Sequence, residues 1–486
     1  MRIIDYLKKY YPFSNFNKYF YNNHKINHAT DNSKDVGKND VYFHFCQNEH
    51  YEYIEDAISH GAKSIFVSKD CNYQNSQNVN IIKVENPKVD IARMNNDLYF
   101  LKYGKYPIMI GVTGTCGKTT SSMITFELLK KFGKDVLYIG SNGIYVYYGK
   151  SMKYFTNFNT TPSNSVIYKY LNQNEMTYDY VIIEVSSQAL SDFRVMGIKF
   201  DYSLITNFFK EHLEYYQDEK EYLEAKKSII FQTTKNVIIN HDIKYFDSFI
   251  KNIYLPYTTF GLQIGDFQAK VIDDDFEVNK FIINYQNKKI LLKSNMLGEF
   301  NVYNLLGVFS LFKTIGYSDD LIINGLSDIK SIPGRMNLFK YKNRTILVDY
   351  AHSHLAYINV MKYLQKVAKK NLIVVVGAGG LRNKENRSFI GKITTLNSYK
   401  VIFTEDNSRT EDVKNIIDEI TKDLNVTNYI VEYDRKNAID LAISISKEED
   451  IIAILGKGNE DFIISKTIKK FNDLEYVKSL IRNDES

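Results

Sequence analysis

The chain has 486 residues, more than one compact domain holds and enough for two or three. Hydrophobic residues make up 44% and charged residues 24%, and a net charge of +5 with no Lys/Arg block gives no footprint for nucleic acid. Cys46, Cys71 and Cys116 are too few and too scattered for a disulfide framework or a zinc pattern, no run approaches the ~18 apolar residues of a membrane span, and the first thirteen residues lack the apolar core of a secretion signal, so a cytoplasmic protein without membrane insertion is expected.

In chain order, strands are expected at Val41–Phe45 and Ser64–Val67, with helices at Tyr51–His60 and Val89–Lys102. Gly104 and Pro107 then suggest a boundary, giving a first domain at 1–103. The second region, 104–332, opens with the apolar run Ile108–Val112, a Gly-rich turn and a helix from Lys118 to about Lys131. Short buried strands follow at Asp135–Ile139, Tyr180–Val185 and Tyr202–Thr206, each trailed by turn or helix signals, the rhythm of a parallel α/β sheet. Residues Phe260–Lys293 alternate without helices and predict a small β appendage. The third region, 333–486, carries buried strands at Thr345–Val348, Leu372–Val376, Lys400–Thr404 and Ile451–Leu455, a second, Rossmann-like α/β unit. Each of these strands runs into a polar or Gly-rich cluster, where open α/β sheets bind ligands.

The turn Gly111-Val-Thr-Gly-Thr-Cys-Gly-Lys-Thr-Thr120 follows a strand and opens a helix, the setting of a phosphate loop. Gly114 and Gly117 let backbone N–H groups approach phosphate oxygens, with Thr115, Cys116 and Thr120 completing the cradle. Lys118 is placed to offset the outer phosphates of ATP and Thr119 to ligate Mg²⁺. No guanine-reading N-K-x-D follows a suitable strand, and the strand at 181–185 ends in a single acid, Glu184, followed by Ser186-Ser187.

Further motifs follow in one order: NTTP at Asn159–Pro162, EVSSQAL at Glu184–Leu190, TNFFKEHLEYY at Thr206–Tyr216, YLEAK at Tyr222–Lys226, GEFNVYN at Gly298–Asn304, PGR at Pro333–Arg335, DYAH at Asp349–His352, GAGGLRNKENR at Gly377–Arg387, DNSR at Asp406–Arg409 and GKGNE at Gly456–Glu460. With the phosphate loop, this set resembles the Mur ligases of peptidoglycan precursor synthesis over nearly the whole chain, and most of all their tripeptide synthetases. The resemblance implies three domains: an N-terminal UDP-substrate-binding domain, a central ATP-binding domain and a C-terminal amino-acid-binding domain. It implies an ATP-dependent amide ligase that activates the D-Glu of UDP-N-acetylmuramoyl-L-Ala-D-Glu as an acyl phosphate and adds a diamino acid.

By the same resemblance, Glu184, His212 and Lys226, the last as a carbamate, join Thr119 as Mg²⁺ ligands and with Lys118 form the catalytic set. Lys227 is adjacent, but Tyr222, Lys226 and Ile229/Ile230 share a helical face. Asn304, Arg335 and Asp349 complete the ATP site, and Ser33, Asn159, Thr160, Thr161, Ser186 and Arg194 meet the nucleotide-peptide. Arg382, Asp406, Asn407, Arg409, Gly456 and Glu460 meet the added amino acid, and Arg409 favours meso-diaminopimelate over L-lysine because a distal carboxylate needs a cation. A monomer is expected. The sequence departs from the family pattern at Cys116 for Asn, Gln188 for His, Glu211 for Asp, Asp192 where Gln often contacts substrate, Ser353-His-Leu355 for Thr-Pro-Asp, and Ser408 for Pro. These changes keep open a paralogous ligase with another acceptor, or one that adds L-lysine.

Overall fold

The computed structural model describes residues 1–12, 21–45, 50–73, 78–156, 159–173, 177–211, 215–274, 278–382 and 384–485. Cys46 and His212 lie outside the described residues. The chain forms two units, each drawing on several stretches: Met1–Gly111 with Phe132–Ser203 and Ala225–Lys235, and Val112–Lys131 with Leu204–Glu224 and Asn236–Ser486.

The first unit begins with a four-stranded parallel sheet of Ala29–Thr30, Val41–Phe43, Ser64–Ser68 and Asn80–Val84. Its two inner strands, Val41–Phe43 and Ser64–Ser68, are buried on both faces, as parallel strands between helices are. The helix Pro87–Tyr103 starts where the Asn86 side chain accepts from Lys88 N and proline occupies the first turn. It stops at Gly104, whose φ of +69° is the left-handed cap that glycine adopts without strain. The same unit holds a run ordered Tyr180–Glu184, Val136–Gly140, Gly143–Tyr148, Ser151–Phe155, parallel in its first pair and antiparallel beyond. Glu184 is the last residue of its strand.

The strand Ile108–Thr113 carries the chain from the first unit into the second and delivers it into the loop before the helix Lys118–Lys131. The strand Thr233–Asn240 pairs in parallel with Tyr257–Gly261, and then come Phe267–Asp274, Asn279–Tyr285 and Lys288–Ser294, the expected β appendage. The C-terminal sheet is ordered Asn337–Tyr341, Arg344–Asp349, Ile451–Leu455, Leu372–Val376, Lys400–Phe403, Tyr429–Val431, parallel except for its first hairpin. Leu372, Val374 and Val376 enter one core cluster, and Ile373 and Val375 the other, so each face of the sheet is buried by alternate residues. The α/β class with parallel sheets is as expected. The carboxyl ends of four neighbouring strands bring Asp349, Gly377, Thr404 and Gly456 to one edge.

Candidate active site

The phosphate loop is shaped from behind by the segment after Ile205. The Thr206 hydroxyl donates to the carbonyls of Cys116 at 2.6 Å and Thr113 at 3.2 Å, and Asn207 Nδ2 donates to Cys116 O at 2.9 Å. In return Cys116 N donates to Asn207 Oδ1 at 2.8 Å and Thr115 N to Asn207 O at 3.2 Å. A Cβ on Gly114 would lie 2.0 Å from Thr206 Oγ1, and one on Gly117, at φ +82°, 2.4 Å from Asn304 Oδ1. Glycine is therefore imposed by close approach as well as by backbone conformation. Lys118 Nζ donates back to Gly114 O at 2.8 Å and Thr115 O at 3.0 Å.

Two residues predicted far apart in sequence, Asn304 and Arg335, meet this loop and its helix, and a third, Asp349, lies behind Arg335. Asn304, buried on the helix Glu299–Ile315, accepts from the Ser121 hydroxyl at 3.4 Å. Arg335 Nη2 donates to Thr119 Oγ1 at 3.2 Å, its Cζ lies 4.3 Å over the Tyr350 ring, and its Nε has no hydrogen-bond partner among the described residues. Asp349 accepts from Met336 N at 2.8 Å; burial raises its carboxyl above the usual range, with Arg335 pulling the other way. Cys116 Sγ lies 3.3 Å from Ser353 Oγ, which also caps the helix His354–Val367.

At the same sheet edge, Asp406, Asn407, Arg409, Gly456 and Glu460 gather. Asn407 Nδ2 donates to Glu460 Oε2 at 2.7 Å, and Tyr350 OH donates to Glu460 Oε1 at 3.0 Å. A Cβ on Gly456 would stand 2.8 Å from Asp406 Oδ2. Arg409 Nη1 donates to the carbonyls of Gly380 at 2.5 Å and Asn407 at 3.3 Å. Arg382 is exposed on the neighbouring loop, and burial together with the charge of Arg382 lowers the pKa of Arg409. Burial works against ionised Asp406, yet Lys457 and Arg435 hold its carboxyl below the usual range.

In the first unit Glu184 is fully buried, accepting from Tyr138 OH and, at 3.2 Å each, from Ser141 N and Oγ. A Cβ on Gly140 would sit 2.2 Å from Glu184 Oε1. Thr160 Oγ1 lies 2.9 Å from Ser141 Oγ, and the Thr161 hydroxyl donates to Glu184 O at 2.6 Å while accepting from Ser186 N at 3.0 Å. Arg194 Nη1 donates to Thr161 O at 3.1 Å and Nη2 to Asp192 at 2.8 Å. Asn159 is exposed, and Ser33 is buried in a short helical turn, Ser33–Asp35, capped by Asn32. Lys226 and Lys227 are both buried, at 1% and 7% exposure, so burial does not separate them. Of the predicted Mg²⁺ set, Glu184 and Lys226 belong to the first unit and Thr119 to the second.

Two family signatures match the chain: Mur ligase middle domain over residues 112–312, and Mur ligase, glutamate ligase domain over residues 334–458. The UDP-N-acetylmuramoyl-L-alanyl-D-glutamate--2,6-diaminopimelate ligase of Aquifex aeolicus (strain VF5) is 31% identical over 466 residues, 95% of this chain and 94% of the relative. Its namesake from Clostridium perfringens (strain 13 / Type A) is 34% identical over 426 residues, 86% of each chain. The chain belongs to the Mur ligase family. A solved UDP-N-acetylmuramoyl-L-alanyl-D-glutamate--2,6-diaminopimelate ligase superposes on this Mur ligase with a TM-score of 0.68 at 22% identity, covering 99% of each chain. The MurF ligase of Thermotoga maritima, solved in complex with ADP, superposes with a TM-score of 0.65 at 19% identity over 94% of this chain and 97% of its own. At these identities the likeness is one of fold. The Mur ligase is thus an ATP-dependent acid–amino-acid ligase, and among its described residues no helix is long and apolar enough to cross a membrane.

Sequence reasoning passed over Lys457, although it stands inside the GKGNE motif. Fully buried, it donates to Asn407 Oδ1 at 3.1 Å, Glu460 Oε2 at 3.0 Å and Phe462 O at 2.8 Å, and so ties together two of the predicted contacts. Tyr138 and Ser141, which surround Glu184, were missed too. A polar side chain in an apolar strand signals a role only when its buried partner is known.

Proposed function

We propose that this Mur ligase adds meso-diaminopimelate to the D-Glu of UDP-N-acetylmuramoyl-L-Ala-D-Glu in peptidoglycan precursor synthesis. A γ-carboxylate oxygen attacks the γ-phosphorus of ATP and ADP leaves. The amine then attacks the acyl-phosphate carbonyl, the carbon–oxygen bond to phosphate breaks, the amine proton passes to solvent and an amide remains. Lys118 and Arg335 offset the charge of the transferring phosphoryl group, while Asn304 and Asp349 hold the nucleotide. Ser33, Asn159, Thr160, Thr161, Ser186 and Arg194 orient the nucleotide-peptide. Asp406, Asn407, Gly456 and Glu460 hold the incoming amino acid, with Arg382 and Arg409 on its carboxylates.

Mg²⁺ would be held by Thr119, Glu184, His212 and carbamylated Lys226, and when bound it offsets phosphate charge. The donor chemistry fits: Thr119 and Glu184 bring hard oxygens, and a carbamate on the buried Lys226 would bring another. The division into domains 1–103, 104–332 and 333–486, a monomeric state and a cytoplasmic location belong to the same proposal.

The observation that carries the choice of amino acid is Arg409, a half-buried cation beside Asp406, Asn407 and Glu460. Phosphate release from ATP and Mg²⁺ with the muramoyl dipeptide, comparing meso-diaminopimelate with L-lysine, tests it. Release with diaminopimelate alone is expected. Release with lysine alone keeps the ligase and removes the role given to Arg409. A second reading, another acceptor, draws on Asp192, which engages Arg194 at 2.8 Å and Lys88 at 3.3 Å. It gains if folded, ATP-binding enzyme stays silent with both amino acids.

A further inference from the structure

Beneath the cluster of Asp406, Gly456 and Glu460 lies an ion pair whose only part so far is the charge that Arg435 sets beside Asp406. Arg435 opens the helix Arg435–Ile445 and Asp473 opens the C-terminal helix Asp473–Glu485, and both are 0% exposed. Arg435 Nε and Nη2 donate to the two carboxylate oxygens of Asp473 at 2.8 and 2.7 Å. Nη1 donates to Glu405 O at 3.1 Å and Nη2 also to Leu455 O at 2.9 Å. Those two carbonyls immediately precede Asp406 and Gly456.

The strands Lys400–Phe403 and Ile451–Leu455 are not neighbours, because Leu372–Val376 runs between them. Past their last residues no strand pairing joins the two loops among the described residues. Lys457 and Glu460 meet Asn407 by side-chain hydrogen bonds at 3.1 and 2.7 Å, and Arg435 alone among the described residues grips both backbones, at the point where a Cβ on Gly456 would lie 2.8 Å from Asp406 Oδ2. A guanidinium, with five donors in a rigid plane, can reach two carbonyls and a carboxylate together, whereas a lysine ammonium cannot hold that fork. Taking both charges out of water is costly, and apolar replacement of such pairs is often neutral or stabilising. Stability alone therefore gives little reason to keep the pair, and its contacts point to geometry instead.

We infer that Arg435 is a positioning residue that fixes the loops of Asp406 and Gly456 against each other, and that Asp473 makes the C-terminal helix a structural part of the amino-acid pocket. The inference rests on the reading that Asp406 and Gly456 meet the added amino acid. An error of about 1 Å in such a site is enough to weaken ligand contacts strongly.

The test uses full-length enzyme with Arg435→Lys, which keeps the charge beside Asp406, and with the double change Arg435→Met/Asp473→Leu, which removes the pair whole and leaves Lys457 as the cation near Asp406. Hydrogen exchange is followed without substrates over residues 404–409, 455–460 and, as a control, 372–376. Steady-state constants are measured for ATP and the diamino acid. Both variants are expected to exchange faster in the two loops and not in the control strand. The KM for the diamino acid should rise roughly tenfold or more while that for ATP stays within about twofold. Unchanged loop exchange in folded variants overturns the tether. Faster exchange with an unchanged amino-acid KM overturns its role in the pocket. Should the double variant not fold, Arg435→Lys, which keeps the charge, decides both points. If the wild type does not turn over the diamino acid, the functional reading has failed, and the exchange experiment still decides the tether.

Discussion

One glycine and one buried lysine set the tolerances of the site at the scale of single residues. Gly117 has both a positive φ and Asn304 in the place of a side chain, so Gly117→Ala must move one of two predicted ATP contacts. We expect the ATP affinity to fall roughly tenfold or more in a nucleotide titration, with the far-ultraviolet dichroism unchanged. Lys457→Met would remove three hydrogen bonds and a buried positive charge at once, leaving Glu460 only Tyr350 and Asn407 among its hydrogen-bond donors above. A cost of about 1–3 kcal/mol in denaturant unfolding is expected, with a raised KM for the amino acid. The difference between Lys118 and Lys457 also explains what was legible. Lys118 follows a Gly-rich turn that announces a phosphate, whereas Lys457 joins its near neighbours Glu460 and Phe462 to Asn407, fifty residues away, and nothing in its own neighbourhood signals that distant partner.

Secondary elements were legible where their hydrophobic pattern was unbroken. Leu372–Val376 and Ile451–Leu455 stand where the sequence predicts them because each is a fully apolar run with a polar residue before it and a glycine after it. The helix Glu299–Ile315 was not foreseen: it is buried on most of its circumference, so no polar face repeats with helical period. Loops depend on contacts that no pattern encodes, and the loop carrying Arg382 is held by one such contact. Arg387, 1% exposed, donates to Glu411 at 2.9 and 3.0 Å and to Gly379 O at 3.3 Å, and Leu381 N also donates to Glu411. These hydrogen bonds, from Arg387 first and then from the backbone, lower the Glu411 carboxyl from its ordinary 4.5 to about 2. Between those values the unfolded chain binds more protons than the folded one, so stability rises with pH. The contribution is whole above pH 4.5 and is lost as pH falls through about 2. Acid unfolding of Glu411→Gln should show a flatter stability slope across this window, and an unaltered slope would remove the loop's dependence on the pair.

At the scale of the whole molecule, the sequence suggests three consecutive blocks, while the fold gathers its parts discontinuously. The strands Ile108–Thr113 and Phe200–Ile205 each carry the chain from one unit to the other, and such a crossing leaves no mark in composition. The consequence is a division of labour among the proposed contacts. The phosphate loop, Asn304, Arg335 and Asp349 belong to the second unit with the amino-acid cluster, whereas Ser33, Thr160, Thr161, Ser186 and Arg194 belong to the first. A ligand that binds the native state protects the segments it orders. ATP with Mg²⁺ alone should therefore slow hydrogen exchange over residues 112–120 and around 304 and 335. The UDP-muramoyl dipeptide alone should slow it over 159–161 and 184–194, leaving 404–409 and 456–460 for the amino acid. If ATP instead protected 159–161 as strongly as its own loop, the assignment of those threonines to the nucleotide-peptide would fail. The phosphate loop would keep its place, since that rests on Thr206, Asn207 and Asn304 within one unit.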